Sequence, residues 1–146
     1  MKAVLCRAFG PPESLSLEDV DAPSAGPDEV VVEVRAAALN FPDVLMIEGK
    51  YQSQPPFPFI PGGEFAGVVA SVGANVKTLQ AGDGVFGGAG YGALVERLAI
   101  PAARLRRIPK GMTFEQLLVY TLYPLLLQKG LFHFLFCCKY WKLQPG

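Results

Sequence analysis

Ten residues near the middle of the chain, Ile60–Val69 (IPGGEFAGVV), constrain its fold more than any other stretch. Pro61 fixes one backbone angle, and the two glycines after it permit backbone conformations that a side chain would forbid. Glu64 then precedes an apolar run, in which Gly67 indicates a bulge or a close approach of another backbone. We therefore expect a tight glycine turn that leads into a buried strand, with one carboxylate at the turn.

The composition limits the class of protein. A chain of 146 residues, 51% of them hydrophobic, is long enough for one domain with its own core. Thirteen basic and thirteen acidic residues give a formal net charge of zero, which argues against binding to nucleic acid or to an anionic membrane surface. Glycines and prolines separate short apolar runs, and this pattern predicts many short strands joined by turns.

The cysteines indicate a reducing compartment. Cys6, Cys137 and Cys138 are odd in number and two of them are adjacent, which does not suit a disulfide framework, and no secretory leader precedes Lys2. We therefore expect a cytoplasmic location. No histidine in the same half of the chain is present to activate Cys6, so this residue is expected to be a core residue and not a nucleophile.

Alternation of apolar and polar residues predicts strands, most clearly in Glu29–Ala38, where Val30, Val32 and Val34 share one face. Glu33 and Arg35 lie on the other face. The glycine-rich residues 82–92 connect two of the strands. The predicted strands are Lys2–Phe9, Leu15–Val20, Glu29–Ala38, Glu64–Val72, Ala93–Ile100 and Leu105–Ile108.

A short helix is predicted between the two most apolar strands. Pro42 suits its first turn, Asp43 suits its positive end, and Gly49 would end it. Asn40, just before it, continues the inward side of the preceding strand. A polar amide in that position needs partners, so Asn40 is either a turn-forming residue or part of a site. The proline-rich loop Lys50–Pro61 that follows is a segment of the kind that carries sites.

The C-terminal residues differ in character from the rest. Thr113 and Gln116 have the spacing of a capping box, which predicts the start of a helix. Leu117–Trp141 is almost wholly apolar. A membrane-spanning helix is not favoured there, because Lys129 near mid-bilayer would cost about 3 kcal/mol. His133, alone among apolar residues, is expected to be a packing residue.

Gly82–Gly87 matches the pattern GxGxxG of dinucleotide-binding turns, but the surroundings do not fit. The pattern needs a buried strand before it, a helix after it and an acid about 20 residues further on. Residues 77–81 are not a buried strand, more glycines follow instead of a helix, and arginines stand where the acid would be. We expect no pyrophosphate-binding turn here.

Three blocks of the chain carry a resemblance to a known family: residues 38–43 (ALNFPD), residues 61–69 (PGGEFAGVV), and Val72-Gly73 through Gly82-Asp83. Together they resemble the N-terminal, GroES-like domain of the medium-chain dehydrogenase/reductase superfamily, and within it the zinc-independent quinone oxidoreductase branch. The resemblance covers about residues 1–116 and implies a mainly β fold, a partly open barrel with short helices. Residues 117–146 would then be an apolar tail, expected to be helical, that leads to the point where a Rossmann domain begins in that family. No such domain is present in these 146 residues.

The resemblance also bears on metals. Zinc-dependent relatives have a cysteine where this chain has Asn40 and a histidine where it has Gly63. An amide and a hydrogen atom cannot replace the thiolate and imidazole that zinc prefers. We therefore expect no metal site.

In function, the resemblance implies the substrate-side domain of an oxidoreductase that transfers a hydride from NADPH to a quinone or an activated alkene. Asn40 and Tyr51 would be the catalytic and cofactor-contacting residues. Asn40 would lie beside the nicotinamide and the substrate, and the Tyr51 hydroxyl would hydrogen-bond the substrate carbonyl, as a tyrosine does in related enoyl-thioester reductases. Glu64 is expected to be a scaffold acid.

Several alternatives stay open at this point. Because the fold that fixes the nicotinamide is absent, we expect no turnover by this chain alone, and the partner would be a separate Rossmann half or a second copy in a homodimer. The chain could instead be a non-enzymatic barrel that acts as an interaction module, or a fragment of an enoyl-thioester reductase. A third alternative, not favoured, is that the tail anchors the barrel to a membrane.

Overall fold

The computed structural model describes residues 1–117; residues 118–146, with most of the predicted tail, His133 and the last two cysteines, lie outside the described residues. Strands dominate the described part. They are β1 Lys2–Leu5, β2 Ser16–Asp19, β3 Glu29–Ala38, β4 Glu64–Val72, β5 Gly84–Gly88, β6 Arg97–Pro101 and β7 Leu105–Arg107, and the helix α1 is Phe41–Ile47, with short 3-10 turns at Pro12–Ser14 and Ala102–Arg104.

All pairings of these strands are antiparallel. β1 and β2 form one sheet, and the second has the order β6-β3-β4-β5-β7, so β3 and β4 are the inner strands. Isolated bridges from Ala3 to Val95 and from Cys6 to Phe59 connect the first strand to the rest. Both sheets remain open, and the predicted mainly β, partly open architecture with short helices is confirmed.

The main core lies on one side of the inner strands. Phe65, Val30 and Val32 are fully buried there, and β1 and the segment after Gly92 contribute further apolar side chains to the same cluster. Each such side chain contributes about 1.5–3 kcal/mol by its removal from water. The other side of β3 and β4 packs against residues 108–117 in a smaller cluster that includes Leu117. This second side is covered only around Ala36, Ala38 and Ala66, because Glu33 and Arg35 in the middle of β3 pair with each other at the surface.

Gly67 behaves as expected. A Cβ atom there would overlap the carbonyl oxygen of Glu33 on the neighbouring strand. The β3–β4 register also shifts close to this point, between Val34 and Ala36. A bulge and a close backbone approach thus coincide, and only glycine fits the position.

Two strand predictions extended too far. Residues 93–96 do not belong to β6, because their backbone serves other partners: Val4 N–H donates to the Leu94 carbonyl, and Glu96 N–H to the Lys2 carbonyl. Residues 7–9 likewise leave β1, after Cys6 has paired with Phe59. In residues 93–96 tertiary hydrogen bonds thus replace the regular ladder that alternation implied.

The helix signals were accurate. The C-terminal capping box is present, since Thr113 N–H donates to Gln116 Oε1 at 3.1 Å and Gln116 N–H to Thr113 Oγ1 at 3.2 Å. Helical residues begin at position 114. At the end of α1, Gly49 has a φ of 71°, a left-handed conformation that ends a helix at low cost.

Candidate functional site

Asn40 joins the end of β3 to the start of α1. It occupies the N-cap position in an extended conformation, and its backbone N–H donates to Asp43 Oδ2 at 2.7 Å. This contact is the carboxylate half of a capping box. Asn40 is half-buried at this helix end. Its side chain is thus partly accessible and can contact a ligand.

Asp43 ties the helix to the glycine turn. Its carboxyl, only 5% exposed, accepts hydrogen bonds from the backbone N–H groups of Asn40, Gly62 and Gly63. Burial raises the pKa of Asp43, and these three hydrogen bonds oppose that rise. The side chain that sequence analysis assigned to the helix dipole therefore also holds the turn in place.

Glu64 lies on the other side of Asn40. Asn40 Nδ2 donates to Glu64 Oε2 at 3.3 Å, a contact between residues 24 positions apart. Burial raises the pKa of Glu64; the Asn40 hydrogen bond opposes the rise, and the nearby charge of Asp43 adds to it. The predicted scaffold role fits this contact, with the Asn40 amide as partner in place of a basic side chain.

The loop after β5 holds the glycine turn from the other side. Ala89 N–H donates to the Gly63 carbonyl at 2.8 Å, and Ala93 N–H to the Gly62 carbonyl at 2.9 Å. Gly62 has a φ of 92°, so the turn needs glycine there. With Asp43 on one side and this loop on the other, the turn at Pro61–Gly63 is held rigidly beside Asn40.

Tyr51 lines a surface groove of about 530 Å³, a size within the usual range of ligand sites. Its backbone is held by a hydrogen bond to the Leu45 carbonyl at 3.1 Å, and its ring packs against a buried cluster that contains Cys6 and Phe59. The groove is lined by Met46, Tyr51, Ser53, residues 89–91 with Tyr91, residues 98–101, and Arg104.

Asn40 and Tyr51 do not meet directly in the described structure. Asn40 precedes α1, Tyr51 follows it, and the residues that line the groove do not include Asn40. The two regions adjoin through Gly63 and Gly90. A Cβ atom on Gly63 would lie 3.4 Å from the Gly90 carbonyl oxygen and 3.8 Å from Asp43 Oδ1. The Asn40 cluster is thus next to one side of the groove.

Cys6 is a core residue, as predicted. It is 1% exposed, its Sγ contacts the Ala8 carbonyl oxygen at 3.3 Å, and burial raises the pKa of its thiol. A buried thiol with a raised pKa is a poor nucleophile.

Three further expectations can be compared with residues 1–117. The GxGxxG match forms a turn at Gly82 and then strand β5, so no helix follows it. Within the described range, no cluster of three or more His, Cys, Asp or Glu side chains is placed to hold a metal ion. Nor does the described part contain a helix long and apolar enough to cross a membrane.

Sequence reasoning missed two residues that line the groove, Tyr91 and Arg104. Tyr91 lies among glycines that gave no periodic signal, and its aromatic type was the only available hint. Arg104 was noted only as one of several arginines. The pairing of β5 with β7 sets Leu105 opposite Gly87, and so brings Arg104 close to the loop after β5 that contains Tyr91. Alternation within single strands does not reveal such a pairing.

Comparisons with known proteins agree with this architecture. The sequence profile of the Alcohol dehydrogenase GroES-like domain family matches residues 26–110. Quinone oxidoreductase-like protein 2 of Mus musculus is 37% identical over 114 residues, which cover 78% of this chain and 32% of that protein. The synaptic vesicle membrane protein VAT-1 homolog of Rattus norvegicus is 36% identical over 118 residues, which cover 80% of this chain and 29% of that protein.

A solved structure shows the same fold. The crystal structure of Escherichia coli quinone oxidoreductase complexed with NADPH superposes with a TM-score of 0.79 at 30% identity, over 88% of this chain and 41% of that one. The chain spans about a third of the length of the curated relatives it matches. From the profile match, the relatives and the shared fold, we conclude that the chain belongs to the alcohol dehydrogenase GroES-like domain family of the medium-chain dehydrogenase/reductase superfamily, among relatives that are quinone oxidoreductase-like.

Proposed function

We propose that this chain forms the substrate-side wall of a metal-free, NADPH-dependent reductase of quinones or activated alkenes. The observation that carries the proposal is the Asn40–Glu64 hydrogen bond beside the glycine turn, next to a groove that Tyr51 lines. Support also comes from the quinone oxidoreductase of E. coli, which was crystallised with NADPH and shares the fold.

The donor set near Asn40 does not suit zinc. The Asn40 amide is engaged with Glu64, and Gly63 has no side chain to offer. Zinc in proteins is held by thiolate, imidazole or carboxylate ligands, usually four in a tetrahedron. The two carboxyls near Asn40 already accept hydrogen bonds, Glu64 from the Asn40 amide and Asp43 from backbone N–H groups. The carbonyl of an acceptor must then be polarised by hydrogen bonds instead.

NADPH would supply the hydride. The described residues suit a contact with its nicotinamide end and not with its pyrophosphate. The Asn40 amide is held by the carboxyl of Glu64, which directly follows the glycine turn. In this fixed position it suits a contact with the nicotinamide. Among residues 1–117, the GxGxxG match leads into a strand, so it offers no helix N-terminus for the pyrophosphate. Turnover therefore requires a nucleotide-binding half in addition to these residues.

Tyr51 is the proposed hydrogen-bond donor to the acceptor carbonyl. In the described part of the chain its hydroxyl has no hydrogen-bond partner, so its proton is available to a ligand in the groove. A donor aimed at an oxygen that gains negative charge stabilises the transition state more than the ground state. Tyr51 thus acts on the acceptor, while Asn40 acts on the cofactor side.

The test is a chimera of residues 1–117 with the nucleotide-binding domain of E. coli quinone oxidoreductase. We expect the 146-residue chain alone to oxidise no NADPH in the presence of a quinone, and the chimera to do so equally well with and without a metal chelator. A folded chimera that binds NADPH but reduces neither quinones nor enones would overturn the proposal and favour a non-enzymatic barrel. A homodimer and a cytoplasmic location stay predictions.

A further inference from the structure

Among residues 1–117, the side chains that line the groove beside Tyr51 include one charged group, Arg104, and no carboxylate. Its other polar side chains are Tyr51, Ser53 and Tyr91, and aliphatic residues such as Leu98 and Ile100 provide the remaining surface. As far as the described residues form it, the site is thus amphipathic, with apolar walls, phenol groups and one positive charge.

Arg104 is placed by backbone contacts and not by a salt bridge. It ends the 3-10 turn Ala102–Arg104 that joins β6 to β7, and its carbonyl oxygen lies 2.7 Å from where a Cβ atom on Gly87 would be. Gly87 itself pairs with Leu105 in the sheet. The main chain at Arg104 is therefore held tightly against β5 while its side chain is exposed.

The guanidinium of Arg104 has no anionic partner in residues 1–117. Five of the other nine lysines and arginines in that range pair with a carboxylate: Lys2, Arg7, Arg35, Lys50 and Arg107. The remaining four form no ion pair there either, but none of them lines the groove, so Arg104 is distinguished by its position: Lys77, Arg97, Arg106 and Lys110. An unpaired guanidinium at the edge of an apolar groove matches a ligand that carries an anionic group, since its planar fork binds carboxylate, sulfonate or phosphate through two hydrogen bonds.

We propose that the groove takes a planar carbonyl acceptor that bears an anionic substituent, with Arg104 as the counterion and Tyr51 as the donor to the carbonyl. The exposed ring of Tyr91 (45% exposed) offers a face for the planar body. This inference rests on the proposed function, because it assumes that a quinone or an activated alkene binds beside Tyr51. What it adds to that function is that the acceptor carries a negative charge.

NADPH also carries phosphates, so the anion could belong to the cofactor. Isothermal titration calorimetry on the 146-residue chain distinguishes an anion on the acceptor from an anion on NADPH. The probes are an anthraquinone sulfonate, a neutral anthraquinone with a hydroxymethyl group, NADPH and inorganic phosphate. We expect the sulfonate to bind about tenfold more tightly than the neutral quinone, a preference that weakens as salt is added.

Substitutions locate the effect. Arg104→Gln should abolish the preference for the sulfonate over the neutral quinone, and Arg104→Lys should retain part of that preference. Arg106→Gln is the matched control, because Arg106 is exposed on β7 and does not line the groove. Circular dichroism checks that each variant is folded.

The outcomes separate the two proposals. If the neutral quinone binds but the sulfonate shows no preference, or if Arg106→Gln has the same effect as Arg104→Gln, the charge assignment is wrong and the proposed function stands. If Arg104→Gln weakens NADPH binding and not sulfonate binding, the anion is the cofactor's and the assignment is again wrong. If neither quinone binds to the folded chain, both proposals fail.

Discussion

Asn40 Nδ2 and Glu64 Oε2, 24 positions apart in sequence, form a hydrogen bond of 3.3 Å at the point where β3 ends and β4 begins. These two strands pair directly, with Ala38 opposite Glu64. The contact therefore forms only when the inner strands are in register. It orients the amide of Asn40 next to the turn that leads to the groove.

The Glu64 carboxyl should make stability depend on pH. Because burial raises its pKa above that of the unfolded chain, the folded state binds the proton more tightly. As the pH falls through the raised pKa, the wild-type protein should gain stability relative to Glu64→Gln, and the gain should be complete below the ordinary pKa of a glutamate. Urea unfolding of both proteins at a series of pH values, from about pH 8 down to about pH 4, measures the difference between their free energies of unfolding.

Glu13→Gln is the matched control for that series. Glu13 is exposed in the first 3-10 turn and forms no hydrogen bond among the described residues. Its substitution should leave the pH profile of the free energy of unfolding unchanged. A wild-type protein that instead loses stability relative to Glu64→Gln in acid would show that the hydrogen bond from Asn40 outweighs burial.

Asp43→Asn should destabilise the fold by about 1–3 kcal/mol, the cost of leaving a buried donor unsatisfied. The carboxyl accepts three backbone N–H groups, and an amide in its place turns an NH₂ group toward at least one of them. Asp21→Asn, in an exposed loop, should change stability by less than about 0.5 kcal/mol. Equal effects of the two substitutions on the urea midpoint would contradict the role assigned to Asp43.

Gly67→Ala should prevent folding or cost at least about 3 kcal/mol, at the upper end of overpacking penalties, because its methyl group would overlap backbone and not a flexible side chain. Gly84→Ala is a contrast on the neighbouring strand. Its Cβ atom would lie 3.7 Å from Ile108, an ordinary contact, so the variant should be at least as stable as wild type. Thermal unfolding followed by circular dichroism compares them, and a folded, fully stable Gly67→Ala would refute the close approach.

Tyr51→Phe separates chemistry from packing. The ring of Tyr51 contacts the buried cluster around Cys6, whereas its hydroxyl has no partner among residues 1–117. Stability should therefore change by less than about 0.5 kcal/mol. The quinone reductase rate of the chimera should fall by about 10²–10³. An unchanged rate in a folded variant would remove Tyr51 from the mechanism.

Much of the fold could be predicted because its signals are local. The start of β4 at Glu64 and the end of α1 before Gly49 follow from glycine placement and alternation. The capping pair Thr113–Gln116 needs only a three-residue spacing. Where local patterns competed with tertiary hydrogen bonds, as in residues 93–96, alternation alone extended the predicted strand beyond the start of β6 at Arg97.

The candidate site was predicted in part. Asn40 and Tyr51 were selected by resemblance and by the cost of burying an amide, but their partners were not. The side chain of Asp43 accepts N–H groups from a turn about 20 residues away, and no periodicity in the sequence encodes that contact. Their catalytic and cofactor-binding roles stay predictions.

By itself, the sequence determined the β-rich class, the rigid glycine turn and the short helix beside it, since glycine, proline and alternating apolar residues restrict the backbone wherever they occur. Only the tertiary structure decided that the Asn40 amide meets Glu64 and that Arg104 lies in the groove with Tyr51. The reason is physical. Strand pairing brings together side chains from distant parts of the chain, and their charge and hydrogen bonding depend on those neighbours.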